Sequence, residues 1–280
     1  DILQGIIYVG LFAVPFLTLY VANENFFPYI TGKNFWFRII VEVVLAAYII
    51  LALLDTTFRP RFSWLLATFA ALLSVMLIST LGAEHITTAL WSNFERMDGY
   101  VTLVHVFLYF LVLAGMFKSR AIWTYFLNTT VGVAALVALQ GVAQLSGGTT
   151  RVDSTLGNAA YMAVYMLFHI FIVGLLFART KVVPYRVIYG LLIALFVFVL
   201  LQTGTRGTAI GLATGSLAMV AYMVLFATRN PQIRRYAVIA TVALVVVFSG
   251  FFAVRDSAYI QSKPALARIA NIDLGNDLRV

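Results

Sequence analysis

Apolar residues run through this chain in long stretches, and short polar breaks between them carry most of the charge. A helix crosses the hydrocarbon core of a bilayer with about 20 predominantly apolar residues. Nine stretches come close to that length: 5–22, 36–54, 62–82, 99–117, 121–145, 158–178, 186–203, 207–228 and 235–254. The pattern predicts an all-α protein, a polytopic membrane helix bundle with about nine transmembrane helices over residues 1–254. The tail 255–280, RDSAYIQSKPALARIANIDLGNDLRV, is polar and reads as the start of an extracytoplasmic loop segment. Pro264 suits the first turn of a short helix there, and Asn276 or Asp277 suits the cap of another. No internal repeat and no low-complexity tract interrupts the pattern.

The breaks are of two kinds, and they alternate. Four short connections are basic: Arg59 and Arg61; Lys118 and Arg120; Arg179, Lys181 and Arg186; Arg229, Arg234 and Arg235. Together they hold ten of the nineteen Lys and Arg residues and a single acid, Asp55. Basic loops stay in the cytoplasm, so the N-terminus is expected there too. The remaining breaks, 23–35, 83–98, 146–157, the turn near 203–206 and the tail, then face outward. They hold nine of the eleven acids if Glu42 is counted with them. They also hold arginines that the topology rule does not require: Arg96, Arg151, Arg206, Arg255, Arg268 and Arg279. Polar function is therefore expected on the outward face.

Composition supports this reading. The chain has 62% hydrophobic and 11% charged residues, against about 25% charged in soluble domains. With no cysteine there is no disulfide and no thiolate metal site. The net charge of +8 is scattered between apolar runs, without a basic cluster interleaved with exposed aromatics, so nucleic acid is not an expected partner. The charge is better matched to topology and to an anionic, membrane-borne substrate.

Several polar positions carry a structural and a functional reading. NENFFPYITGK, 23–33, suits an interfacial turn with aromatic anchors. Arg38 and Glu42 stand four apart, the spacing of a helical ion pair, and a structural pair is the expectation. In loop 83–98, Ile86 to Trp91 is apolar enough to dip back into the interface. Arg96 lies between Glu95 and Asp98, either within a local ion cluster or facing a ligand. In SGGTTRVDSTLGN, 146–158, Gly147-Gly148 end one helix and Gly157-Asn158 open the next. Arg151 and Asp153 pair in water or serve a site. The Gly-Asn backbone could offer N–H groups to an anion at the helix N-terminus.

The stretch QTGTRGTAIGLATG, 202–215, sets Arg206 between glycines where two apolar runs meet. A charge at a membrane boundary is costly enough to need a reason. Gly207, Gly211 and Gly215, four apart, form a smooth stripe against which a neighbouring helix can pack. Other chemistry is poorly represented. His85 is in an outer loop; His105 and His169 lie within spans and are expected to be hydrogen-bonded in the bundle. None has metal-ligand spacing, and no phosphate-loop, dinucleotide or nucleophile-elbow motif occurs. What remains is a set of outward arginines, whose planar forks suit phosphate oxygens. With no metal, arginines suit the negative charge that develops on a diphosphate leaving group.

At this point the motifs carry a resemblance. TGTRGTAIG, 203–211, resembles the signature of the bacterial O-antigen ligase and polymerase-like family, in which a Ser/Thr-Arg-Gly turn opens a transmembrane helix. Gly157-Asn158, followed by Tyr161 and Ala163, is similar to its Gly-Asn-Pro-x-Tyr-x-Ala pattern, with Ala159 in place of the proline. Glu95-Arg96 followed by Gly99 resembles its outer-loop Glu-Arg-x-x-Gly. NDLR, 276–279, is similar to the opening of its large periplasmic loop. Arg206 matches the ligases' Arg-x-x-x-Leu, with Ile210 in place of leucine. The four motifs fall in order and together cover most of the chain.

The resemblance implies a multi-pass protein of the bacterial inner membrane with its active face periplasmic. It implies metal-independent, cofactor-free transfer of a glycan from an undecaprenyl-diphosphate carrier. The acceptor would be a lipid A–core sugar, a polymer or a protein hydroxyl. It makes Arg206, Arg151 and Arg96 the diphosphate-binding candidates, with Gly157, Asn158, Tyr161 and Gly207 in support. The catalytic residue is unassigned, because the family's histidine belongs to the large periplasmic loop, which the resemblance places beyond Val280. The alternative is a transporter or flippase of an anionic lipid-linked saccharide, which would need charges along a transmembrane path; a third reading is a non-catalytic scaffold.

Overall fold

The computed structural model describes residues 2–93, 96–226, 235, 249–250, 253–262 and 264–271. These residues are helical, with no strand among them. The long helices are α1 (Ile2–Ala13), α2 (Thr31–Leu54), α3 (Trp64–Leu81), α5 (Tyr100–Met116), α6 (Arg120–Ser146), α7 (Ala159–Arg179), α8 (Val183–Gln202) and α9 (Arg206–Phe226). A short helix α4, Ile86–Trp91, occupies the apolar middle of the 83–98 loop. Two further short helices, Ala258–Gln261 and Pro264–Ala270, lie in the tail, the second opened by Pro264 as its sequence suggests.

Among the described residues, seven segments are long and apolar enough to cross a membrane: Ile2–Leu19, α2, α3, α6, α7, α8 and α9. The predicted span 99–117 is the 17-residue helix α5. At 1.5 Å per residue it reaches roughly 26 Å, a little less than a hydrocarbon core of about 30 Å. The predicted span 235–254 lies largely outside the described residues. Large apolar side chains such as Leu53, Ile78, Leu191 and Tyr222 point outward from these helices. A soluble monomer does not sustain apolar surface on this scale.

The described residues form two compact units that divide between Val133 and Ala134, within α6. In the first unit Ile7 and Leu11 of α1 pack with Val44, Tyr48 and Leu51 of α2 and with Val112 and Met116 of α5. Two glycines let these helices close up. A Cβ at Gly10 would lie 2.2 Å from Val44 Cγ2, and one at Gly115 would lie 2.1 Å from the Tyr48 hydroxyl. That hydroxyl donates to the Phe58 carbonyl at 2.7 Å.

The first predicted span is not one continuous α-helix. Val14–Leu19 is 3-10, with Pro15 in its first turn. Proline has no N–H to give the carbonyl four residues back, which here is Leu11. The Tyr109 hydroxyl of α5 donates to that carbonyl at 2.8 Å, so the break is repaired from another helix.

The basic connections sit together at one end of this unit. Lys118 Nζ donates to the Thr57 carbonyl and lies 3.9 Å over the Phe58 ring. Arg59 Nε donates to Ala52 O at the end of α2. The Thr57 main-chain N–H donates to Asp55 Oδ1 at 2.8 Å and holds that carboxyl below the ordinary carboxylate range. Alternating short connections therefore bring 55–59 and 118 to a common end, as the charge pattern requires.

In the second unit α7 and α8 are joined by residues 180–182 and pack along each other as a hairpin. α9 packs against α7, but through two glycines of the predicted stripe. Cβ atoms at Gly211 and Gly215 would meet Leu167 and Phe171 of α7 at 3.3 and 2.9 Å. At Gly207 a Cβ would meet nothing within 4 Å among the described residues. The stripe is thus a pair, Gly211 and Gly215.

Tyr109→Phe is expected to lower stability by about 1–2 kcal/mol, the cost of leaving a buried carbonyl unpaired. Denaturation of the purified protein in detergent measures it. Adding Pro15→Ala restores a main-chain donor, and the loss should then shrink.

Candidate functional site

The polar end of the second unit is built around the turn between α8 and α9. Thr203 is fully buried there. Its hydroxyl donates to Leu200 O at 2.7 Å and accepts from the Thr205 main-chain N–H at 3.3 Å. Gly204 has φ +60°, a left-handed conformation natural to glycine. A Cβ at Gly204 would lie 3.2 Å from Ala265 Cα, so the Pro264–Ala270 helix rests directly on the turn. Thr205 Oγ1 donates to Ala159 O at 3.4 Å, tying the turn to the first residue of α7.

Arg206 is the first residue of α9. A cation at this end of a helix opposes the macrodipole. Its side chain instead reaches the other kind of helix end: Nε donates to Arg268 O at 2.7 Å, in the last turn of the Pro264–Ala270 helix. Arg151 is held in the same way. Its Nε donates to Thr203 O at 2.9 Å, and the neighbouring Val152 N–H donates to Gln202 O at 3.3 Å. Carbonyls at a helix C-terminus lack partners within the helix, and the extended 151–152 segment supplies them for α8. No second hydrogen bond engages the Arg151 guanidinium among the described residues.

Of the two readings of Arg151 and Asp153, the pairing is not what forms. Asp153 Oδ1 accepts from Gln144 Nε2 at 3.0 Å, and Gln144 Oε1 accepts from the Ser154 N–H at 2.8 Å. Gln144, in the last turns of α6, therefore folds the loop, with Val152 packed so close that a Cβ at Gly141 would lie 2.7 Å from it. Ser154, at φ +52°, is held by its own hydroxyl on Val137 O at 2.7 Å. This frees Arg151 to turn toward α8. Gln144 was not marked by the sequence, since it is one of two glutamines in an apolar helix and has no distinguishing pattern.

Gly157 and Asn158 have divided roles. Gly157 is left-handed at φ +67°, and Asn158 caps α7 by accepting from the Ala160 N–H at 2.7 Å. One of the N–H groups expected to meet an anion is thus taken by the Asn158 side chain. Tyr161, one turn on, is half exposed, and Gly207 is exposed beside Arg206. The structure brings Arg151, Arg206, Gly157 and Asn158 to one junction.

Arg96 belongs to the first unit. Its side chain is exposed, and its main-chain N–H donates to Asn93 Oδ1 at 2.9 Å. The expected ion cluster does not include Asp98, whose carboxylate accepts from Ser92 Oγ at 2.6 Å; Glu95 lies outside the described residues. The expected Arg38–Glu42 pair is also replaced. Glu42 Oε1 lies 3.3 Å from His105 Nε2, while Arg38 Nη2 donates to Thr102 Oγ1 at 2.6 Å. Arg38 prefers α5 because Thr102 and the Met97 carbonyl are buried acceptors, whereas Glu42 is largely solvent-facing and reached by His105.

The other histidine is internal as well. His169 Nδ1 lies 2.8 Å from Tyr165 O, one turn back on α7. Among the described residues no group of His, Asp and Glu side chains could hold a metal ion. The motif NDLR, 276–279, lies outside the described residues.

No protein-family model, no curated protein and no solved structure matches the chain.

Gly204→Ala is expected to loosen the 264–270 helix, because a Cβ meets Ala265 and the left-handed turn is strained by roughly 1 kcal/mol or more. Gly207→Ala meets open space and should leave that helix in place. Limited trypsin cleavage at Arg268 reads the difference: several-fold faster in the first variant, unchanged in the second.

Proposed function

We propose that the chain belongs to a membrane glycosyltransferase of the O-antigen ligase type. It would transfer a glycan from undecaprenyl-diphosphate to a saccharide or protein acceptor at the periplasmic face of a bacterial inner membrane. The observation that carries this reading is the junction of Arg151 and Arg206 at the α8–α9 turn, beside the Gly157–Asn158 opening of α7. Both arginines are anchored through Nε to main-chain carbonyls. An arginine fixed at Nε keeps the orientation of its fork, and a fork of fixed orientation suits two phosphate oxygens.

In this reading Arg206 holds the donor diphosphate, and the first turn of α9 adds main-chain N–H groups to the same charge. Arg151 approaches from the 146–158 loop, and its bond to Thr203 O sets its reach. Arginines placed where charge develops on the leaving diphosphate stabilise it without a proton transfer. Asn158, Gly157 and Tyr161 shape the floor of the site. The acceptor hydroxyl needs a general base, which this reading assigns to a residue outside the junction. The nine-span topology with a cytoplasmic N-terminus follows from the same proposal.

Arg206→Lys keeps the charge and a donor for Arg268 O but removes the fork. Glycan transfer from a purified lipid-diphosphate donor should fall at least 100-fold in Arg206→Lys and Arg206→Ala, with membrane insertion unchanged. Wild-type transfer by the lysine variant would overturn the fork's role. Donor translocation in proteoliposomes without any transfer would favour the transporter.

A further inference from the structure

A second cationic site lies in the first unit, and none of the residues above explains it. Arg38, on α2, is only 7% exposed. Burying a guanidinium costs several kcal/mol unless an anion and further hydrogen bonds offset it. The anion one turn along, Glu42, is largely exposed and in contact with His105, and it reaches Arg38 through its field and not through a hydrogen bond or ion pair. Arg38 Nη2 has two acceptors, Thr102 Oγ1 at 2.6 Å and Met97 O at 3.4 Å, both neutral. Thr102 in turn donates to Met97 O at 2.6 Å, which fixes its hydroxyl as an acceptor for the arginine. Among the described residues, Arg38 Nε is buried without a hydrogen-bond partner. The guanidinium carbon lies 5.4 Å from the Trp91 ring, a contact that offsets part of the desolvation but supplies no anion.

Arg38 also lines a cavity of about 370 Å³, within the range of small-molecule sites, roughly 300–1,000 Å³. Thr87, Thr88, Ser92 and Asn93 line it with hydroxyl and amide groups, and Phe35 and Trp91 with aromatic surface. α4 forms its roof, and the loop behind α4 is closed tightly. A Cβ at Gly99 would lie 2.4 Å from Leu90 O. The cavity therefore joins a buried cation with an unmet hydrogen-bond donor, short polar side chains and an apolar wall.

We propose that this cavity binds the phosphate head of an amphiphile. Arg38 supplies the counter-charge, the hydroxyl groups of Thr87 and Thr88 donate to the remaining phosphate oxygens, and Phe35 and Trp91 lie along the first carbons of the tail. The site belongs to the first unit and does not rest on the transfer reading, since binding is read without donor or acceptor. Its chemistry suits a bilayer phospholipid or another lipid phosphate; free phosphate lacks the tail that the aromatic wall requires.

Thermal unfolding of the purified full chain in a neutral detergent tests this. Didecanoyl phosphatidic acid is titrated against didecanoylglycerol and against inorganic phosphate. Phosphatidic acid should raise the midpoint saturably, diacylglycerol should not, and inorganic phosphate should need at least 10-fold higher concentration. In Arg38→Gln the half-saturating concentration should rise at least 10-fold. Thr88→Trp fills the cavity while leaving Arg38 in place, and should abolish the shift even if the Arg38 variant fails to fold. The proposal is overturned by an equal shift in Thr88→Trp, by no saturable shift in the wild type, or by inorganic phosphate matching phosphatidic acid.

Discussion

A helix that ends or breaks leaves carbonyls without a partner in the helix, and something in the protein has to meet them. Much of this structure is arranged around that need. Tyr109 meets the Leu11 carbonyl at the Pro15 break, and Tyr48 meets Phe58 O. Arginines do the same at four other places through Nε: Arg59 on Ala52 O, Arg151 on Thr203 O, Arg186 on Thr180 O and Arg206 on Arg268 O. A guanidinium serves well because it favours the negative end of the helix dipole while its long stem lies along apolar surface. The arginines of the junction are thus held by the same interaction that closes the ends of the helices.

Most of the helical framework was legible in the sequence, because a period-free apolar run of about 20 residues has few other uses. Ile86 to Trp91 stood out as an apolar island in a polar loop, and it is a helix. Pro264 at the head of its helix was legible for the same reason, since its fixed φ and missing N–H belong in a first turn. The Pro15 break was harder to see. The run is apolar on both sides of it, and the partner that makes the break tolerable, Tyr109, is far away in sequence.

Side-chain pairing was less legible. Spacing put Arg38 with Glu42 and Arg151 with Asp153, since each pair is close along the chain. The structure sends Arg38 and Arg151 to buried acceptors on other helices and leaves the acids to His105 and Gln144. Local charge pairs at a wet surface are worth little, so a buried acceptor wins the arginine. The glycine stripe shows the same limit. Gly211 and Gly215 face Leu167 and Phe171, and Gly207 faces open space, a distinction set by where α9 meets α7.

The bond between Arg206 and the Arg268 carbonyl spans 62 residues of chain. During synthesis Arg206 therefore emerges long before the acceptor that holds its side chain. At roughly 5–20 residues per second the gap is about 3–12 s. Through that interval α9 is already available for insertion while its leading arginine lacks its final anchor. The junction is assembled late, from the tail backward, and a ribosome that stalls before residue 268 leaves a chain with its early helices made and Arg206 not yet set.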